Sequence, residues 1–176
     1  MAMANPDPLW LRIARLEKGV KETAGPASTD RILEYLQTVD LEGLGRLSDD
    51  ISWCSAFVNW VVRQAGFSGT DSAAARSWLK WGETISEPRI GAVVVLKRGT
   101  EAWQGHVGFV TGVHGGFVQV LGGNQSNSVN EQLYKTSLVL GYRWPRGILQ
   151  YGPRIEYMDE PRPRKLWRRF WNWIEL

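Results

Sequence analysis

At Pro88 the hydrophobic period of this chain changes from helical to strand-like, and that change restricts the folds open to it. Ahead of it, apolar residues recur three and four apart: Leu9, Ile13 and Leu16 in the stretch 9–18, which Gly19 ends, and Ile32, Leu33 and Leu36 over Asp30–Thr38. ISWCSAFVNWVVRQAGF is the densest helical signal. Ser52 is placed to cap it, Phe57, Val61 and Ala65 form an apolar stripe, and Gly66 stands where a helix-ending glycine belongs. Ser72 opens a further short helix in SAAARSWLKWG. Beyond Pro88, Ile90–Lys97, His106–Val113 and Phe117–Leu121 are rich in Val and Phe and separated by glycine-containing turns, with 139–144 as a last strand. VHGGF is the turn of a hairpin. Helices first and an antiparallel sheet after them is the α+β pattern.

Composition closes several other routes. A length of 176 residues suits one domain with an appendage. One Cys excludes an intramolecular disulfide framework, and with two His it argues against structural zinc; no metal or cofactor is expected. Apolar runs such as Ala92–Leu96 fall far short of the roughly 18 residues of a spanning helix. MAMANPDPLW has no basic region followed by an apolar one, so the expectation is a chain made in the cytoplasm. The net charge of +3 belongs to the end of the chain: residues 161–176 hold five basic residues and one acid, leaving −1 for the first 160. No basic stripe runs through the body, and nucleic acid is not an expected partner.

Three residues carry candidate chemistry. Cys54 stands at the start of the strongest helix, where unsatisfied N–H groups and the dipole favour a thiolate and where its own N–H is placed to meet an oxyanion. Its alternative is a buried structural cysteine. His106 opens a strand in WQGHVGFV, sharing a face with Gly108, Val110 and Gly112. The glycine two residues on leaves space beside the imidazole for a substrate or helix terminus; the alternative is a satisfied sheet histidine. His114, in the hairpin turn, reads as solvated. Asn124 follows the next strand in VLGGNQSN, where a carboxamide can fix the imidazole tautomer or simply support its own turn. Each is weak alone. The order of Cys at a helix start, His on a strand and Asn after the next strand is far more specific.

Taken together, SWCSAFVNWVVRQAGF, AARSWLKWG, GAVVVLKRG, WQGHVGFVTG, LGGNQSN and LGYRWP resemble a bacterial and phage branch of the CHAP (cysteine, histidine-dependent amidohydrolase/peptidase) and NlpC-type cell-wall hydrolases, over about residues 10–146. The resemblance implies a papain-like α+β fold, N-terminal helices packed on an antiparallel sheet, in a catalytic domain at 1–146. It also implies hydrolysis of an amide bond in peptidoglycan, by an N-acetylmuramoyl-L-alanine amidase or a stem-peptide endopeptidase. The family nucleophile falls on Cys54 and its general base on His106. Many CHAP domains orient the base with a Glu two residues before an Asn. Here that position is Gly122, so the role is expected of Asn124. Some CHAP domains bind calcium through acids ahead of the Cys; Asp49 and Asp50 are present without a full ligand set, and no metal is expected. Trp53, Trp78, Trp81 and Trp103, with Gln104, are candidates for lining a substrate groove, against core packing as the alternative. Glu22 either reaches the site or is an exposed loop acid.

Residues 147–163 read as a linker with three prolines, and 164–176 as a short basic, Trp-rich segment of helical pattern. Arg164, Lys165, Trp167, Arg168, Arg169, Trp171 and Trp173 suit an anionic membrane or lipopolysaccharide surface; the alternative is a helix docked on the body. The expected setting is a monomeric phage endolysin of a Gram-negative host, acting on the wall in the periplasm. The alternatives are an injected antibacterial effector, a non-catalytic wall-binding module and a membrane-disrupting protein.

Overall fold

The structure is a computed structural model that describes residues 7–23, 29–41 and 52–146. The expected linker, the basic segment with its seven candidate membrane residues, and Asp49 and Asp50 lie outside the described residues. Three helices, α1 (Leu9–Leu16), α2 (Asp30–Leu36) and α3 (Cys54–Gln64), precede the sheet. Its strands are β1 (Glu83–Ile85), β2 (Val93–Lys97), β3 (Gly105–His114), β4 (Phe117–Gly122), β5 (Asn130–Lys135) and β6 (Val139–Trp144). They form one six-stranded sheet in the order β1-β6-β2-β3-β4-β5, every pairing antiparallel. The fold is α+β.

Helix α3 is more deeply placed than an amphipathic stripe requires: every residue from Cys54 to Val62 is buried, between β3 on one side and α1 and α2 on the other. Phe57, Val58 and Val61 pack with Val93, Val95, Val107, Phe109 and Leu121 of the sheet and Leu11, Ile32 and Leu36 of the other helices. Its buried polar side chains are satisfied. Ser55 Oγ donates to Ser72 C=O at 2.6 Å and accepts from Trp78 Nε1 at 2.9 Å, while Asn59 Oδ1 accepts from the Thr70 and Asp71 N–H groups at 2.8 and 3.0 Å. The helix ends as expected: Gly66 has φ +85°, its N–H bonds Arg63 C=O at 2.9 Å and Phe67 N–H bonds Val62 C=O at 2.9 Å.

Its start differs from expectation. Trp53, not Ser52, occupies the capping position, without a side-chain cap bond. Likewise SAAARSWLKWG forms a 3-10 turn at Ala75–Lys80, after Ser72 Oγ accepts the Ala74 N–H at 3.2 Å. The other sheet face carries Val94, Leu96, Val110, Val118, Val120 and Tyr142, onto which Ile85 and Tyr134 also pack. A bulge at Thr111 shifts the β3–β4 register, so the alternation expected from His106 through Gly112 does not continue past Val110.

Candidate active site

Cys54 is the first residue of α3, and the first bond the helix closes runs from Phe57 N–H to Trp53 C=O at 2.9 Å. The N–H groups of Cys54, Ser55 and Ala56 therefore have no partner inside the helix, which gives this end its partial positive charge. His106 comes from β3, one residue after the strand begins. The sequence distance between them is bridged by packing: α3 lies against β3, so the helix start and the strand start meet. Cys54 is 2% exposed and His106 3%.

Burial raises the Cys54 thiol, but the hydrogen-bonding contact and charge of His106, the Ser52 hydroxyl and the Val107 backbone N–H together outweigh it and bring the thiol below the ordinary cysteine value. Ser52 Oγ lies 3.9 Å from the sulfur, so the serine expected to cap the helix serves the thiol instead. The Cys–His contact is not a closed hydrogen bond. His106 Nδ1 is buried without a partner in bonding geometry, while Nε2 is engaged elsewhere; the nitrogen left for the thiol is Nδ1. An open Cys–His contact of this kind is common before substrate binds.

The partner of His106 Nε2 is Gln125, whose Oε1 lies at 3.0 Å. This corrects the expectation for Asn124: no hydrogen bond joins it to His106 among the described residues. Asn124 has φ +56°, a left-handed conformation that asparagine tolerates, and its contribution is to the backbone. The chain turns there and again at Ser126 and Asn127, both also left-handed, and the turn closes with Gln125 N–H to Ser128 C=O at 3.0 Å and Ser128 N–H back at 3.3 Å. Reversal there sends the side chain of Gln125 inward, 2% exposed. The turn is braced from outside by the segment after α1. Val129 N–H bonds Val20 C=O at 2.7 Å, and Glu22 N–H bonds Asn127 C=O at 2.9 Å.

Three glycines let these elements approach. A Cβ on Gly108 would lie 2.6 Å from Val120 Cγ1 and 2.7 Å from Leu121 O; the space beside the imidazole, expected to admit a substrate or helix terminus, is filled by β4. A Cβ on Gly122 would come within 3.0 Å of Gln125 Oε1 and 3.1 Å of His106 Nε2, and one on Gly123 within 2.5 Å of Trp53 and 2.7 Å of Phe57. Gly122 is where the resemblance leads one to expect Glu. Here its room belongs to the His106–Gln125 bond.

The substrate-groove candidates separate by burial. Trp53 and Trp78 are completely buried and belong to the core, correcting the groove reading: the Trp78 indole donates to Ser55, and the Trp53 indole to Glu22 Oε1 at 2.9 Å. Glu22 is accordingly half-buried and next to the site, not an exposed loop acid. Trp81 is partly buried, with its indole on Ser68 C=O at 2.8 Å. Gln104 turns its amide oxygen onto Glu101 N–H at 3.1 Å, closing its own loop, and its carbonyl accepts from Arg76 Nε at 2.7 Å. Trp103 is 73% exposed, in the loop that leads into His106. Past Arg76 lies an open depression of about 520 Å³ lined by Thr70, Ser77, Lys80 and Trp81, which takes in neither Cys54 nor His106. No cluster of three or more His, Cys, Asp or Glu side chains suited to a metal occurs among the described residues.

A thiol lowered below its usual value, an imidazole in contact with it and a helix terminus of open N–H groups form the apparatus of acyl transfer. Residues 47–124 match the family model of the CHAP domain. Over that stretch the chain is similar to the CHAP domain. Cys54, His106, Gly122 and Asn124 all fall inside the matched stretch, while Gln125 lies one residue beyond its end. No curated protein matches the chain. CHAP domains are papain-like, and the match is consistent with a CHAP-type peptidoglycan hydrolase.

Proposed function

We propose that this CHAP domain cleaves an amide bond of peptidoglycan by nucleophilic catalysis with Cys54 and His106, and that the chain serves as a phage endolysin in a Gram-negative host. The observation that carries the chemistry is the contact of a buried imidazole with a thiol at the first position of an 11-residue helix. His106 Nδ1 accepts the Cys54 proton and the sulfur attacks the scissile carbonyl carbon. The carbonyl electrons move onto oxygen, where the Cys54 N–H meets the charge. Collapse of this adduct expels the amine, which takes the proton from His106 and leaves a thioester. Water, losing a proton to His106, attacks the thioester; the carboxylic acid departs and the thiol is restored.

The endolysin setting is supported by the basic, Trp-rich composition of 164–176, which suits an anionic membrane or lipopolysaccharide surface and thereby access to the wall in the periplasm. Peptidoglycan is the substrate, and the monomer is the acting form.

Mass spectrometry of Gram-negative sacculi digested with wild type and with Cys54→Ala tests the reaction. Glycan freed from stem peptide in the wild-type digest alone makes the enzyme an amidase. New peptide ends with the lactyl–alanine bond intact make it an endopeptidase. Intact sacculi with the wild type, or equal digestion by both proteins, overturn the mechanism. Deleting residues 161–176 tests the setting: it is expected to reduce binding to anionic vesicles, and unchanged binding would refute that role.

A further inference from the structure

We propose that Gln125 is the positioning residue of this site: its side-chain oxygen holds His106 as the Nε2–H tautomer and so reserves the Nδ1 lone pair for the Cys54 proton. The inference rests on the acyl-transfer reading and assigns the orienting role to a residue outside the matched stretch.

The direction of the amide follows from its neighbours. One end of Gln125 faces Asn130 C=O at 2.6 Å, Asn130 Oδ1 at 3.0 Å and Val120 C=O at 3.3 Å. Two of these are backbone carbonyls, which can only accept, so that end is the NH2 group. The Asn130 amide is itself oriented, since its Nδ2 donates to Gln125 C=O at 2.6 Å and to Ser128 Oγ at 2.8 Å. The other end of Gln125 is therefore the oxygen, 3.0 Å from both His106 Nε2 and the Tyr134 hydroxyl. An oxygen there makes the opposing imidazole nitrogen a donor. Reversing the amide would set its oxygen against two carbonyls in a buried site, where unpaired acceptors are costly.

The remaining geometry fits this role. The bare Cα of Gly122 gives the amide access to Nε2, and the Tyr134 ring lies over the imidazole with centroids 5.6 Å apart, limiting its rotation. Gln125 is neutral, so it orients the base without adding charge to the site. Its NH2 end explains why the position suits Gln rather than Glu: a carboxylate would turn an oxygen toward three acceptors.

The test uses the whole chain with 15N-labelled histidine, at a pH where His106 is neutral. There are two histidines, and His114→Gln assigns the spectrum. The expected wild-type spectrum shows Nε2 protonated and Nδ1 bare. In Gln125→Met that preference is lost and kcat falls on the order of 100-fold, with KM changed less than about twofold. A wild-type His106 protonated on Nδ1 overturns the proposal, and so does a folded Gln125→Met with unchanged tautomer and kcat. Should Gln125→Met fail to fold, the wild-type spectrum still decides. The spectra need no substrate, so a wrong tautomer refutes the role of Gln125, whereas a wild type that cuts no peptidoglycan refutes the reaction.

Discussion

The indole of Trp53 donates to the Glu22 carboxylate at 2.9 Å, so the residue that caps α3 is tied to the segment bracing the Gln125 turn. Glu22→Ala leaves a buried N–H without its acceptor, at an expected cost of about 1–3 kcal/mol. Glu22→Gln retains an oxygen and should cost less. Urea denaturation of the three proteins checks the order, and equal midpoints for wild type and Glu22→Ala would show that the bond is dispensable.

The two adjacent glycines after Leu121 should respond differently to alanine. A Cβ on Gly123 meets the Trp53 ring and the Cβ of Phe57, both in the core, so Gly123→Ala should destabilise the fold by about 1–3 kcal/mol. A Cβ on Gly122 meets Gln125 and His106, at separations that require them to give way by a few tenths of an ångström. Gly122→Ala should therefore lower kcat more than it lowers Tm. Thermal melts run beside sacculus turnover distinguish the two, and the reverse pattern would contradict the packing.

Trp78 and Trp103 make opposite predictions. Trp78→Ala empties a fully buried site and removes the donor to Ser55, costing about 3–5 kcal/mol. Trp103 is exposed, and Trp103→Ala should change stability by no more than about 0.5 kcal/mol while weakening productive binding of peptidoglycan. A raised KM at constant Tm is the expected result for Trp103→Ala; an unchanged KM removes Trp103 from the substrate surface.

Cys54 is the single cysteine, so its 13C-labelled Cβ gives one resonance whose titration reports the thiolate. The midpoint should lie below the roughly 8.5 of a free thiol. In His106→Ala the imidazole's contribution disappears while burial remains, and the midpoint should rise. Because the folded state favours the thiolate, this group's contribution to stability is fully present above the free-thiol value and is lost as pH falls through the folded midpoint. Identical midpoints in the two proteins would remove His106 from the thiol's environment.

Much of this arrangement was legible in the chain, for local reasons. Cys54 lies at a helix start because the apolar run of α3 begins there, and Gly66 ends that run by reaching a positive φ. The His114–Phe117 hairpin closes on Gly115 and Gly116 at φ +43° and +87°, as its glycine pair predicts. Two strands were not legible. β1 is three residues long, and β5, NEQLYK, is mostly polar without a fully buried residue, so neither carries the alternation by which a strand is recognised. β5 forms because β4 offers it an edge.

The sequence by itself determined the order of helices and strands, the place of the thiol and the histidine along it, and the turns that glycine permits, because these depend on residues a few positions apart. Tertiary structure alone decided which side chain meets His106. Asn124 and Gln125 are adjacent carboxamides, and the choice between them depends on a left-handed backbone at 124 and on donors and acceptors from Val120, Asn130 and Tyr134. It also decided the fates of the tryptophans. An indole near the Cys54 helix reads the same in the chain whether it faces solvent or core, and only the packing of the sheet against α3 buried Trp53 and Trp78 and left Trp103 outside.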